Sequence, residues 1–188
     1  MRYGYLWSAA LLLTISSLTG CFGSPKETYY TLSAGTAVNP ATSASGESAY
    51  SIAVGSITLP EVVDRPQFVL RAGKNEVSIV ELHRWAEPLR SEIPRIIADN
   101  LAAELNVKRV AAHPQSAGDN ADYRVLVEIQ RFDSTMGESV TIDALWTVKR
   151  VSDGVLRTGR STARESGSGG SYDALAAAHS RALSTISR

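Results

Sequence analysis

One thiol, three imidazoles and a scatter of carboxylates are the groups in this chain with the most obvious chemistry. The histidines are His83, His113 and His179, and no two have the i, i+3 or i, i+4 spacing that sets paired imidazoles on one helix face for a metal. Glu61, Asp64, Glu81 and Glu87 lie near one another along the chain, yet no spacing pairs them as acid and base, and solvated charge is their ordinary reading. No Gly-x-Ser-x-Gly elbow presents a nucleophile. Gly167-Ser168-Gly169-Gly170 precedes a predicted helix whose first N–H groups could hold a phosphate. No lysine follows at the phosphate-loop spacing, so a flexible loop is the simpler reading. The pattern points away from catalysis: no catalytic residue, no metal ligand and no cofactor is assigned.

The thiol is different, because of where it stands. Arg2 is the only charge before Lys26, Leu6 to Leu18 is mostly apolar, and the stretch ends Leu18-Thr19-Gly20-Cys21. A basic start, a short apolar core and small residues before a cut describe a secretory signal over residues 1–20. The core is too short to span a bilayer comfortably, which takes roughly 20 apolar residues. Leu-Thr-Gly-Cys resembles the bacterial lipobox. That resemblance implies a diacylglyceryl group on the Cys21 thiol, cleavage before it and acylation of the new amine. The alternative is an ordinary signal with an incidental cysteine. The chain's single Cys at the required position favours lipidation. A lipidated thiol leaves none for a disulfide. Several acyl chains anchor stably, each buried CH₂ adding about 0.8 kcal/mol. Phe22 stands where Asp holds lipoproteins in the inner membrane under the enterobacterial sorting rule. The expected location is therefore the periplasmic face of the outer membrane.

Loss of residues 1–20 removes one charge, Arg2, and turns a formal net charge of +0 into −1. That balance excludes a nucleic-acid partner, which requires a basic surface. No second run is long and apolar enough to cross a membrane. The length suits a single domain. Residues 21–28 read as the lipidated Cys and a short tether, and 29–188 as the folded domain, with a flexible Ala/Gly/Ser/Thr-rich loop over 33–49.

The elements expected within that domain alternate irregularly. Tyr29–Leu32 has strand composition, and Tyr50–Leu59 reads as a strand stopped by Pro60. Gln67–Arg71 and Val77–Leu82 read as strands joined at Gly73-Lys74-Asn75. Pro88 suits a helix start, and Leu89, Ile93, Ile96, Ile97, Asn100, Leu101 and Leu105 recur at helical spacing. Pro94 either kinks that helix or marks its start. Val107–His113 reads as a strand and Ser116–Asn120 as a loop. Alternation from Tyr123 to Gln130, then from Val140 to Val148, gives two more strands, and Val155–Arg164 a third. Asp173–Ile186 is Ala-rich and helical. The order predicts an α/β or α+β sandwich, a mixed β-sheet packed with two main helices.

Two segments stand out without being catalytic. Leu59–Gln67 frames Asp64 and Arg65 between two prolines. His83–Leu89 is a strand-to-helix corner holding Arg84, Trp85 and Glu87. Trp and Arg are enriched at interface hot spots, which makes these residues candidates for docking a partner. The competing reading puts Trp85 in the core and Arg84 in a corner ion pair.

In order, the chain carries the lipobox, Tyr-Tyr-Thr-Leu, Asp64-Arg65-Pro66-Gln67, Arg84-Trp85-Ala86-Glu87-Pro88-Leu89, Arg131-Phe132 and Trp146. This order resembles the ABC-type transport auxiliary lipoproteins, a PqiC-like family, over essentially the whole mature chain. The Arg-Trp-Ala-Glu-Pro-Leu corner is the most specific part. The resemblance implies a non-enzymatic outer-membrane accessory of an MCE/ABC-type system that moves lipids between membranes. Its partners would be the periplasm-spanning MCE-domain protein with its ABC or permease complex, and a homo-oligomer is compatible with it. The other reading is a stand-alone envelope lipoprotein that binds a small ligand or scaffolds the wall.

Overall fold

The computed structural model describes residues 25–35, 50–113 and 120–188. The expected signal, Cys21 and loop residues 36–49 and 114–119 lie outside them. The elements run β1 (Thr28–Tyr30), β2 (Ile52–Val54), β3 (Gln67–Arg71), β4 (Val77–Trp85), α1 (Leu89–Leu105), β5 (Val110–Ala112), β6 (Tyr123–Thr135), β7 (Ser139–Arg150), β8 (Leu156–Ser166) and α2 (Tyr172–Ile186).

The strands divide into two sheets, ordered β1-β4-β3 and β5-β2-β6-β7-β8. In the small sheet β1 runs parallel to β4, and β3 and β4 form a hairpin. In the large sheet β2 lies parallel between β5 and β6, while β6, β7 and β8 form an antiparallel meander. With both helices, this is an α+β domain of mixed sheets.

Alternation accounts for the long strands. Val127 and Ile129 of β6 face inward, as do Val140, Ile142 and Ala144 of β7, while Arg124, Leu126, Glu128 and Gln130 face solvent. A register shift between Ile129 and Arg131 then moves the buried face onto Phe132 and Ser134. Such a bulge inserts one residue and reverses the inside–outside parity beyond it.

Two expected strands are shorter than their composition suggested. Over Tyr50–Leu59 only Ile52–Val54 pair continuously; after Gly55 the chain rejoins β6 through a bridge from Thr58 to Glu128. Val107–His113 narrows to Val110–Ala112. Asn106 ends α1 in the left-handed region at φ 52°, and the Val107 N–H still bonds to the Ala102 carbonyl.

Pro88 opens α1, and its carbonyl accepts from Ser91 and Glu92. Pro94 lies inside the helix rather than at its start. Leu89, Ile93, Ile96, Ile97 and Asn100 are buried as their spacing required, whereas Leu105 is exposed in the last turn. The N-cap of α2 is Ser171, whose hydroxyl accepts the Ala174 N–H at 3.1 Å. Ala176, Ala178 and Ala182 are buried on α2, and their small side chains let it lie close on β7 and β8.

Candidate functional site

The two segments singled out above are neighbours in space. Gln67 pairs with Arg84 across the β3–β4 hairpin, and the Trp85 N–H donates to the Pro66 carbonyl at 2.7 Å. Parity then decides which side chains face out. Trp85 points inward and is only 4% exposed. Its ring stacks on Phe68 at 4.1 Å and meets Phe132 and His179 edge-on. The corner tryptophan is therefore packed as a core residue.

The other four candidates lie around that plug. Arg84 is partly exposed, donates to the Glu81 carbonyl at 3.0 Å and pairs with Glu27 at 3.3 Å. Asp64 pairs with Arg90 of α1, and Glu87 with Arg95 at 3.6 Å. Arg65 is half-buried, and its Nε is buried with no hydrogen-bond partner among the described residues. Asp64 and Arg65 in the turn and Arg84 and Glu87 at the corner thus flank one strand-to-helix junction.

The sequence reading missed the contacts of three buried polar groups, Glu92, Asn100 and Ser180. Leu32, Ser33 and Gly35 follow β1, and each N–H is caught by a helix side chain. Leu32 donates to Glu92 at 2.8 Å, Ser33 to the Ser180 hydroxyl at 3.0 Å and Gly35 to Asn100 at 2.9 Å. The helices thereby hold the segment that leads into the 36–49 loop. A Cβ on Gly35 would stand 2.5 Å from the Ser184 Oγ, so the approach requires glycine. Burial pushes the Glu92 carboxyl above its ordinary range, opposed by the Leu32 amide and Arg95. One signal was legible: Glu92 and Asn100 sit among the apolar residues of a helix face.

His179 of α2 is fully buried, stacked on Phe132 at 3.9 Å, with Nε2 2.7 Å from the Ser134 hydroxyl. Burial pulls its pKa down to about 3 against the pull of Asp133, so the ring is neutral. No cluster of three or more His, Cys, Asp or Glu able to hold a metal occurs among the described residues.

The described residues also form an apolar and a polar concavity. An apolar cavity of about 220 Å³ lies between Ile97 and Leu101 of α1, Ile186 of α2 and the Val127 and Trp146 face of the large sheet. A polar cleft of about 660 Å³ lies between the β3–β4 and β6–β7 turns. There Asp133 is shared by Arg71 at 3.1 Å and Arg131 at 2.8 Å. Burial opposes ionisation of Asp133, but hydrogen bonds from Arg131 and Arg71 outweigh it and hold the carboxyl below the usual range.

Fold and site together define an α+β domain that buries its polar groups to hold its own chain. The chain belongs to the family of ABC-type transport auxiliary lipoprotein components, whose model matches residues 30–188. Two crystal structures share the fold. One, of an uncharacterized protein, has a TM-score of 0.69 and 16% identity, covering 87% of this chain and 95% of that one. The other, protein XCC0632 from Xanthomonas campestris, has a TM-score of 0.67 and 19% identity, covering 85% of this chain and 90% of that one. No curated protein matches significantly.

Proposed function

We propose that this protein is an outer-membrane lipoprotein, lipidated on Cys21, that serves an MCE/ABC-type intermembrane lipid transport system. Its body docks the periplasm-spanning MCE protein to the outer membrane. The observation that carries this reading is the family match over residues 30–188, downstream of a lipobox-like Leu-Thr-Gly-Cys that ends at Cys21. A domain with a lipid anchor and without a nucleotide loop can hold a partner at a membrane while the partner supplies the work. Asp64, Arg65, Arg84 and Glu87 are the candidate docking side chains, grouped at one junction with Trp85 packed beneath them.

The test is genetic. Deletion should sensitise the envelope to detergents and hydrophobic toxicants, as loss of the MCE partner does. The double deletion should be no worse than the more severe single one. Additive sensitivity would overturn the docking reading. It would favour a stand-alone ligand-binding lipoprotein, which the apolar cavity beside Trp146 supports.

A further inference from the structure

The polar cleft carries more cations than carboxylates. Its lining carries four cations, Arg71, Lys74, Arg131 and Arg164, against two carboxylates, Asp133 and Glu138. Glu76 stands across the β3–β4 turn, outside the lining. Arg71 and Arg131 divide one carboxylate between them, and Arg164 donates to the neutral Ser139 hydroxyl at 3.2 Å. Lys74 is exposed at the turn. Guanidinium groups spaced around a cleft match the oxygens of a phosphate, each able to give two parallel N–H donors.

Strand direction says which phosphate the cleft would meet. β1 runs parallel to β4, with Thr28 beside His83 and Tyr30 beside Trp85. The chain therefore enters β1 from the side on which β4 begins at Val77, which is the side of the β3–β4 turn and of the cleft. Cys21 lies seven steps along the chain from Thr28, a reach of at most about 25 Å when extended. The six steps along β4 from Val77 to His83 cover about 20 Å. A lipid on Cys21 is thus within reach of the end of the body that carries the cations. Val77, paired with Arg71, adds an apolar side chain there that is 41% exposed.

We propose that the cleft formed by Arg71, Lys74, Arg131 and Arg164 binds the phosphate of anionic phospholipid headgroups in the membrane that anchors the chain, and so orients the body on that surface. This rests on the anchored-lipoprotein reading and is independent of any MCE partner. The attraction of such cations to an anionic surface is screened by salt.

The test uses the full chain in uncharged detergent micelles doped with phosphatidylglycerol, with phosphatidylcholine, or bathed in inorganic phosphate. Hydrogen exchange is read at residues 71–76 and 135–141. Phosphatidylglycerol should slow exchange in both turns, phosphatidylcholine should not, and salt should reverse the effect. Lys74→Gln with Arg164→Gln, neither of which removes a carboxylate's partner in the cleft, should raise the phosphatidylglycerol content needed by about tenfold or more. Lys149→Gln, outside the cleft, should leave it unchanged. Equal protection by both lipids, or by neither, overturns the proposal. So does protection by inorganic phosphate at the same concentration as by phosphatidylglycerol, which would make this a free-phosphate site. Intact mass from the same sample reports acylation of Cys21, so a failed anchor and a failed cleft are told apart.

Discussion

Glu92 accepts the main-chain N–H of Leu32 at 2.8 Å across 60 residues of sequence, with its own side chain fully buried. Its second oxygen has no hydrogen-bond partner among the described residues. Burial raises the carboxyl above its ordinary value of 4.5. For an acid so raised, the native state holds its proton longer than the unfolded chain. Stability is fully present below the unfolded value and declines as pH rises toward the native one. Glu92→Gln keeps an oxygen for Leu32 and abolishes the titration. Urea midpoints should fall in the wild type as pH climbs from about 4.5, whereas the variant should lack this component. A difference between the two proteins that does not change with pH would refute the assignment.

His179 carries the opposite sign. Its pKa falls from 6.5 to about 3 on burial, so the unfolded chain takes up a proton that the native state refuses. Stability is present above 6.5 and lost as pH falls toward 3, with a slope approaching about 1.4 kcal/mol per pH unit. The ring of His179 should show no imidazolium signature by NMR at pH 5 in the folded protein. An imidazolium there would show that water reaches the Phe132–His179 stack.

Gly159 of β8 lies under the indole of Trp146, and a Cβ there would fall 2.2 Å from the ring carbon Cζ2. Gly159→Ala must displace the ring, which also donates to Ser161 at 3.1 Å. Overpacking of this kind costs about 1–3 kcal/mol. The expected result is lower stability together with a shifted tryptophan emission, as the ring leaves its place over Gly159. Unchanged emission would mean that β8 moves instead.

The long elements were legible because each carries one period throughout. Tyr123–Ile129 and Val140–Val148 alternate over enough residues to fix their faces, and α1 repeats its apolar positions over four turns. The short parallel strands were not. Ile52–Val54 and Val110–Ala112 are three residues each, and their limits depend on the Gly55 break and the left-handed Asn106, which are set by contacts with β6 and α1. The same limit applies to the site. The sequence put Arg84 and Trp85 side by side, but which of them faces out follows from the pairing of Gln67 with Arg84 and the inward turn at the corner. The grip of Glu92, Asn100 and Ser180 on residues 32–35 joins parts of the chain that no local pattern connects.

That corner supplies the sharpest contrast. Trp85 touches Phe68, Phe132 and His179 and is almost wholly buried, so Trp85→Ala removes an indole from the centre of the aromatic cluster. The loss should be about 3–5 kcal/mol, which for a domain of this size lowers Tm by on the order of 10 °C. Arg84→Ala, one residue earlier, breaks only partly exposed pairs with Glu27 and Glu81, and should cost within about 1 kcal/mol. Partner capture by the folded protein should respond in the reverse order. Arg84→Ala should weaken binding of the proposed MCE partner with Tm nearly unchanged. A conservative Trp85→Phe, which keeps an aromatic ring in the cluster, should retain binding in proportion to the folded fraction. If Trp85→Phe folds well yet abolishes capture while Arg84→Ala binds normally, the indole itself would be the docking group, and its burial would have to open on binding.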